Sequence, residues 1–208
     1  MRTVAIVQSR LGSTRFPRKA LADLNGHPMI WHVVQRAKQI PGVDKVVLAV
    51  PVADYDEMSD AVEECGVSVY GHRGVESDVL RRFLTAMRRF RATTIMRITG
   101  DCPALNPGVA GRVLCLFRAA FVDFASNDTR ISGYPDGWDV EVFSRSALET
   151  AAANATEPFD LEHVTPWMQR HLDCVTLRAP EPWTGPKLSV DVPSDLEVVR
   201  AWLAGQRA

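Results

Sequence analysis

The chain has 208 residues, 46% hydrophobic and 24% charged, the make-up of an ordinary globular chain with enough material for one sizeable core. Its formal net charge of -1 leaves no bulk basic field for nucleic acid, and no apolar run approaches membrane-spanning length. Four cysteines, Cys65, Cys102, Cys115 and Cys174, are scattered without a C-x-x-C pair, which disfavours a zinc site or disulfide framework. Reduced thiols in a cytoplasmic protein are expected, and a strand that starts within the first residues leaves no place for a signal peptide.

Residues 3–7 form a continuous apolar run, read as a buried first strand. The segment that follows sets Gly12, Ser13 and Thr14 among Arg10, Arg15, Arg18 and Lys19. Glycine lets backbone amides approach a ligand, hydroxyls add donors, and clustered cations neutralise a polyphosphate. The loop lies where open α/β sheets take ligands, at the carboxyl end of a strand. Arg10, Arg15 and Lys19 are therefore read as phosphate clamps, with Ser9, Leu11, Gly12 and Ser13 presenting backbone or hydroxyl groups to the same ligand. The loop contains neither G-x-x-x-x-G-K-[ST] nor G-x-G-x-x-G. A solvated basic loop is the plain alternative.

Residues 28–37 read as an amphipathic helix, 45–50 as a second strand, 55–65 as a helix stopped by Gly66, and 67–70 as a third strand. Asp78 is placed to cap a basic helix over 79–90, with Arg81 and Arg82 on a solvated face. A fourth strand spans 94–98, and Asn106-Pro107 opens a helix over 108–120. Short strands at 124–126 and 140–143 flank a loop rich in Gly, Pro and Asp. Helices over 146–154 and 160–170, strands at 174–178 and 188–190, and a closing helix over 193–203 complete the chain. The alternation predicts a doubly wound, mainly parallel α/β sheet of Rossmann-like type, covered on both faces. No repeat or linker interrupts it, so residues 1–208 read as one domain.

Asp101 follows the fourth strand and Asp191 follows the last one, which sets two carboxylates at the same sheet edge as the first loop. Hard oxygen ligands completed by phosphate oxygens suit Mg²⁺. Each aspartate also has an ordinary use, Asp101 in a turn before Pro103 and Asp191 as the N-cap of the closing helix. Arg97 needs an acid or a phosphate if buried. Asp139 and Glu141 alternate with Val140 and Val142 and share a strand face, either an outer polar face or a ligand-facing one. His163, beside Glu162, is the remaining lone polar candidate, and Cys102 reads as packing.

The loop from Gln8 to Leu21 resembles the signature Q-A-R-x-G-S-T-R-L-P-G-K-x-L of the nucleotide-sugar cytidylyltransferases, above all their spore-coat polysaccharide type. The likeness recurs in Arg97-Ile98-Thr99-Gly100-Asp101-Cys102-Pro103, in the stretch from Tyr134 to Phe143, in Glu162-His163-Val164-Thr165-Pro166, and in Val190-Asp191-Val192-Pro193-Ser194-Asp195. Ser77-Asp78-Val79-Leu80-Arg81-Arg82-Phe83 matches a further block, which implies a nucleotide contact from Asp78 as the alternative to its capping role. One departure is Arg18, which stands where the family has glycine. The resemblance implies transfer of CMP from CTP to a small acceptor, an acidic sugar for surface polysaccharide, with release of pyrophosphate. It implies Arg10, Lys19 and Asp101 as catalytic residues, Mg²⁺ on Asp101 and Asp191, and acceptor contacts from Asp139, Glu141 and His163. Partners would be CTP and the acceptor, with no nucleic acid or membrane; homodimerisation is left open. A glycosyltransferase would need a second acid after Asp101, where Cys102-Pro103 stands. A non-catalytic nucleotide-binding module would not need both Asp101 and Asp191.

Overall fold

Strand β1 (Thr3–Gln8) and its neighbours set the plan, because their apolar residues alternate between two covered faces. A computed structural model describes residues 2–206. In chain order β1 is followed by β2 (Asp23–Leu24), β3 (His27–Pro28), α1 (Met29–Lys38), β4 (Lys45–Pro51), α2 (Tyr55–Asp60), β5 (Ser68–His72), α3 (Val79–Phe90) and β6 (Thr94–Thr99). The second half holds α4 (Pro107–Ala120), β7 (Phe124–Ser126), α5 (Thr129–Ser132), β8 (Glu141–Ser144), α6 (Arg145–Asn154), α7 (Pro158–His163), α8 (Pro166–His171), β9 (Cys174–Thr176) and α9 (Pro193–Gly205).

Seven strands form one sheet in the order β5-β4-β1-β6-β8-β7-β9. β1 pairs parallel with β4 and β6, and β4 with β5. β8 runs antiparallel to β6 and β7, while β7 and β9 are parallel. The sheet is thus mainly parallel, as expected. Ala5 and Val7 face α1 and α4, whereas Val4 and Ile6 face α3 and α6. A third cluster seats Leu196, Val199 and Leu203 of α9 against Leu24, Met29 and Val190. Each fully buried aliphatic side chain contributes about 1.5–3 kcal/mol. Among the described residues no helix is long and apolar enough to cross a membrane.

Two caps follow the sequence reading. Asp78 accepts the Arg81 N–H at 2.9 Å, and Asn106 accepts the Val109 N–H at 3.1 Å with Pro107 opening α4. Three elements differ from it. The helix expected over 55–65 stops at Asp60; a separate tight turn, Glu63–Cys65, follows, and Gly66 at φ 65° ends it. The helix expected over 160–170 splits into α7 and α8, because Val164 sits at φ 73° just ahead of Thr165-Pro166, a dipeptide that disfavours helix. Residues 188–190 pair with loops instead of a strand: Leu188 N–H bonds the Asp136 carbonyl at 2.7 Å and Val190 N–H the Asp101 carbonyl at 2.8 Å.

Chain order places the topological switch between β1 and β6, since the chain leaves β1 toward β4 and β5 on one side and returns at β6 on the other. The loops beyond Gln8 and Thr99 meet there, and Gly100 N–H bonds the Gln8 carbonyl at 2.8 Å.

The 188–190 segment also depends on Gly137, at φ 105°, where a Cβ would lie 2.4 Å from the Leu188 carbonyl carbon. Left-handed strain and a backbone collision act together there. Gly137→Ala is expected to lower unfolding free energy by about 2 kcal/mol or more. A urea midpoint matching wild type would show that the loop relaxes freely.

Candidate active site

The loop after β1 is shaped before any ligand arrives. Leu11 N–H donates to the Asp54 carboxylate at 2.8 Å, and Arg18 N–H returns to the Leu11 carbonyl at 3.1 Å. Arg18 occupies the left-handed region at φ 58°, a conformation that glycine adopts without cost. The family glycine is thus replaced without changing the sense of the turn, and the Arg18 guanidinium is held by Glu57. The Leu11 and Ser9 N–H groups are spent internally, the latter on the Ala49 carbonyl at 3.3 Å. Gly12 and Ser13 face the cleft.

Lys19 is the meeting point of the site. Its Nζ donates to the Val190 carbonyl at 2.6 Å and to Asp101 Oδ2 at 3.1 Å, and lies 3.6 Å from Asp191 Oδ1. Arg15 reaches Asp191 at 2.7 Å, and Lys187 reaches Asp191 at 2.9 Å and Asp195 at 3.1 Å. Burial raises the Asp191 carboxyl, but Lys187, Lys19 and Arg15 outweigh it and hold the group below its usual range. Asp191 is not a helix cap: α9 begins after Val192, and Asp195 accepts the Asp191 and Val192 N–H groups at 2.8 and 3.2 Å.

Arg15, Lys19, Asp101 and Asp191 line a cleft of about 360 Å³ that also takes in Arg10, Arg82, Arg97 and His163. Arg10 lies between Glu76 at 3.3 Å and Glu162 at 3.2 Å. Arg82 is the residue the helical pattern misassigned. It is 1% exposed, not solvated, and donates to the Glu76 carbonyl at 2.8 Å, while its Nε has no partner. No carboxylate among the described residues lies within ion-pair distance of it, and burial pulls its pKa below the usual value. The available signal was spacing: Val79 and Ala86, three before and four after it, lie on the same buried face of α3. Asp78 caps α3 and is absent from the cleft lining.

A second cavity, about 230 Å³, adjoins the first through Arg97 and Thr99. Asp139 and Glu141 line it together with Asp136 and Asp128, although β8 begins only at Glu141 and Asp139 lies in the loop before it. His163 lines the larger cleft instead, its ring tilted against that of Phe159 with centroids 4.4 Å apart. Arg97 finds an acid: it donates to Glu141 across the β6–β8 register and to Gln8 Oε1 at 2.9 Å. The half-buried Asp139 carboxyl is raised to about 6, first by burial, with Asp101 and Asp136 adding like charge. Cys102 is buried and its thiol is pushed well above the usual value, which suits a packing role. All four cysteines are free.

Cations and acids converging on the switch point of a mainly parallel sheet define a nucleotidyltransferase-type α/β protein. The chain belongs to the cytidylyltransferase family, whose family model matches residues 4–187. It is 30% identical to the spore coat polysaccharide biosynthesis protein SpsF of Bacillus subtilis, over 97% of this chain and 87% of that one. It is 35% identical to a 3-deoxy-manno-octulosonate cytidylyltransferase of Mesorhizobium japonicum, over 61% of this chain and 52% of that one. A cytidylyltransferase structure from Leptospira borgpetersenii superposes with a TM-score of 0.90 at 24% identity, over 99% of this chain and 87% of that one, a likeness of fold.

The raised Asp139 carboxyl carries a sign. A folded-state pKa above the unfolded value makes stability fall as pH rises through the interval, here from about 4 to about 6. Asp139→Asn removes that fall. Between pH 4.5 and 7 the variant is expected to gain about 2 kcal/mol on wild type in urea unfolding. Parallel stability curves would place the ionised carboxylate in water.

Proposed function

We propose that the protein transfers CMP from CTP to a hydroxyl of a small acceptor and releases pyrophosphate. The observation that carries this reading is the Lys19 ammonium, held at the switch point among Asp101, Asp191 and the Val190 carbonyl. Family membership supplies the nucleotide. The spore-coat and octulosonate relatives support a sugar-type acceptor used in surface polysaccharide assembly.

In this reading the acceptor oxygen bonds to the α-phosphorus, the bond from the α-phosphorus to the bridging oxygen breaks, and the hydroxyl proton passes to water. The chain positions the reactants and supplies charge where it develops. Arg10, Arg15 and Lys19 exchange carboxylate partners for phosphate oxygens, and Ser13 and Gly12 line the path of the phosphates. Arg82 adds a buried guanidinium without a carboxylate partner, an anion receptor by its electrostatics. Asp101 and Asp191 fit a divalent cation, because both carboxylates already converge on one positive centre, Lys19 Nζ. Mg²⁺ bound there would neutralise phosphate oxygens and orient the attack. Asp139 and Glu141 border the acceptor side.

Lys19→Ala is expected to weaken CTP binding by about 1.5–3 kcal/mol in calorimetry, as for loss of a charged hydrogen bond. Asp101→Asn and Asp191→Asn should each keep the fold and lose turnover, with the Mg²⁺ optimum moved upward. A folded Lys19→Ala protein with wild-type CTP affinity would remove the clamp, and a fully active Asp191→Asn protein would remove Asp191 from the metal site.

Arg82→Met makes a two-sided prediction. Replacing a buried charge by an apolar chain of similar length is neutral or stabilising. The free protein should therefore unfold at the same or higher urea, while CTP affinity falls about tenfold or more. Lost stability with unchanged CTP affinity would mark Arg82 as a packing residue.

A further inference from the structure

Of the two carboxylates at the proposed metal site, Asp191 is held from two sides. Its Oδ1 takes Arg15 at 2.7 Å and Lys19 at 3.6 Å, and both of these cations line the cleft. Its Oδ2 takes Lys187 at 2.9 Å, a residue outside the cleft lining. Asp101 has one cation partner among the described residues, Lys19.

Lys187 has fixed supports. Its ammonium also reaches Asp195 Oδ2 at 3.1 Å, and that oxygen accepts the Asp191 and Val192 N–H groups at the start of α9. Lys187 and Asp191 are four positions apart, yet the stretch between them is not helical. Its backbone is pinned instead, by Leu188 N–H on the Asp136 carbonyl at 2.7 Å and by Val190 N–H on the Asp101 carbonyl at 2.8 Å. The Leu188 and Val190 side chains are fully buried. An ammonium on a pinned loop thus joins Asp191 to a carboxylate seated on the first turn of a helix.

We infer that Lys187 is a positioning residue, which keeps Asp191 aimed at a divalent cation after the polyphosphate has drawn Arg15 and Lys19 away. The inference rests on reading Asp101 and Asp191 as the metal carboxylates of CMP transfer. When phosphates take the cleft cations, Oδ1 loses its partners, while Oδ2 stays tied to Lys187. Mg²⁺ demands near-ideal octahedral geometry and takes few protein ligands beside phosphate oxygens. No three His, Cys, Asp or Glu side chains among the described residues are grouped to hold a metal ion, so the direction of each of the two carboxylates counts. A partner that orients a ligating carboxylate from behind carries about ten- to hundredfold in metal affinity. The charge of Lys187 acts in the opposite sense, because removing a cation near the site strengthens divalent binding. The sign of the effect therefore separates orientation from charge.

Calorimetry reads that sign. CTP is titrated into the protein with EDTA and again with a fixed excess of Mg²⁺, and the ratio of the two affinities measures the coupling of metal to nucleotide. Lys187→Met is expected to cut the wild-type ratio about tenfold, while CTP affinity in EDTA stays within about threefold. Lys187→Arg keeps a cation able to bridge Asp191 and Asp195, and should restore the ratio to within about threefold of wild type. Urea midpoints on the same proteins report folding, and Lys187→Ala takes the place of Lys187→Met if the latter does not fold. An unchanged ratio, with or without a lower urea midpoint, would make Lys187 an ordinary surface ion pair and overturn the inference. A larger ratio would make it a competing charge and overturn the inference as well. Wild-type CTP affinity indifferent to Mg²⁺ would instead overturn the metal site, and failure of CTP to bind at all would overturn the proposed function.

Discussion

One ammonium group ties together three segments that are far apart in the chain. Lys19 comes from the loop after β1, Asp101 from the loop after β6, and Val190 and Asp191 from the turn into α9. The side chain is only 15% exposed, so its charge has lost much of its water and depends on these oxygens. The dependence is mutual. Asp101 and Asp191 are drawn to one point by a shared cation, and the α9 segment is drawn over the sheet edge with them. Shape at the switch point is in this sense an electrostatic property of the folded chain.

That pairing sets the terms on which a polyanion would bind in the proposed reading. Arg10, Arg15 and Lys19 each already hold a carboxylate, so a triphosphate would replace one anion by another. The gain would be a difference between two sets of charge-assisted bonds, which favours a ligand that satisfies several cations together. Arg82 is the exception. Its charge is buried without a carboxylate, so a ligand that reaches it relieves a cost carried by the free protein. The exchangeable cations and the unpaired one therefore play different parts in the same cleft.

The sequence reading recovered the parts of this arrangement that are local. The apolar run of β1, the basic loop behind it, and the Asn106-Pro107 start of α4 all declare themselves over a few residues. Asp101 was also legible, as an acid just beyond a strand end, whereas Asp191 was reached through a strand at 188–190 that the structure replaces with loop pairings. Pairings set by register were not. Arg97 and Glu141 are 44 residues apart and meet only because β8 enters the sheet antiparallel to β6. Arg82 was hidden by its neighbours, since a basic helix reads as solvated until the packing of α3 decides which arginine turns inward. The alternative use of Asp191 as a cap falls to Asp195 instead, because a side chain three residues inside the helix reaches back to the free N–H groups as well as one at the boundary does.

The antiparallel β8 also explains why the site has two compartments. A continuation of the parallel pattern would start the next strand at the opposite edge and send its carboxyl end to the cleft. Reversal instead brings the start of β8, with Glu141, alongside Arg97 in β6, and carries the loop bearing Asp136 and Asp139 to the same edge. Arg97, fastened on one side to Gln8 at the end of β1 and on the other to Glu141, stands as a rigid wall between the cleft rich in cations and the cavity rich in acids. A charged side chain shared by two cavities can separate opposite potentials only if its own charge is neutralised, and Glu141 does that. Loss of Glu141 would free Arg97 to offer its charge to either side, so the division between the cleft rich in cations and the cavity rich in acids depends on this cross-strand pair.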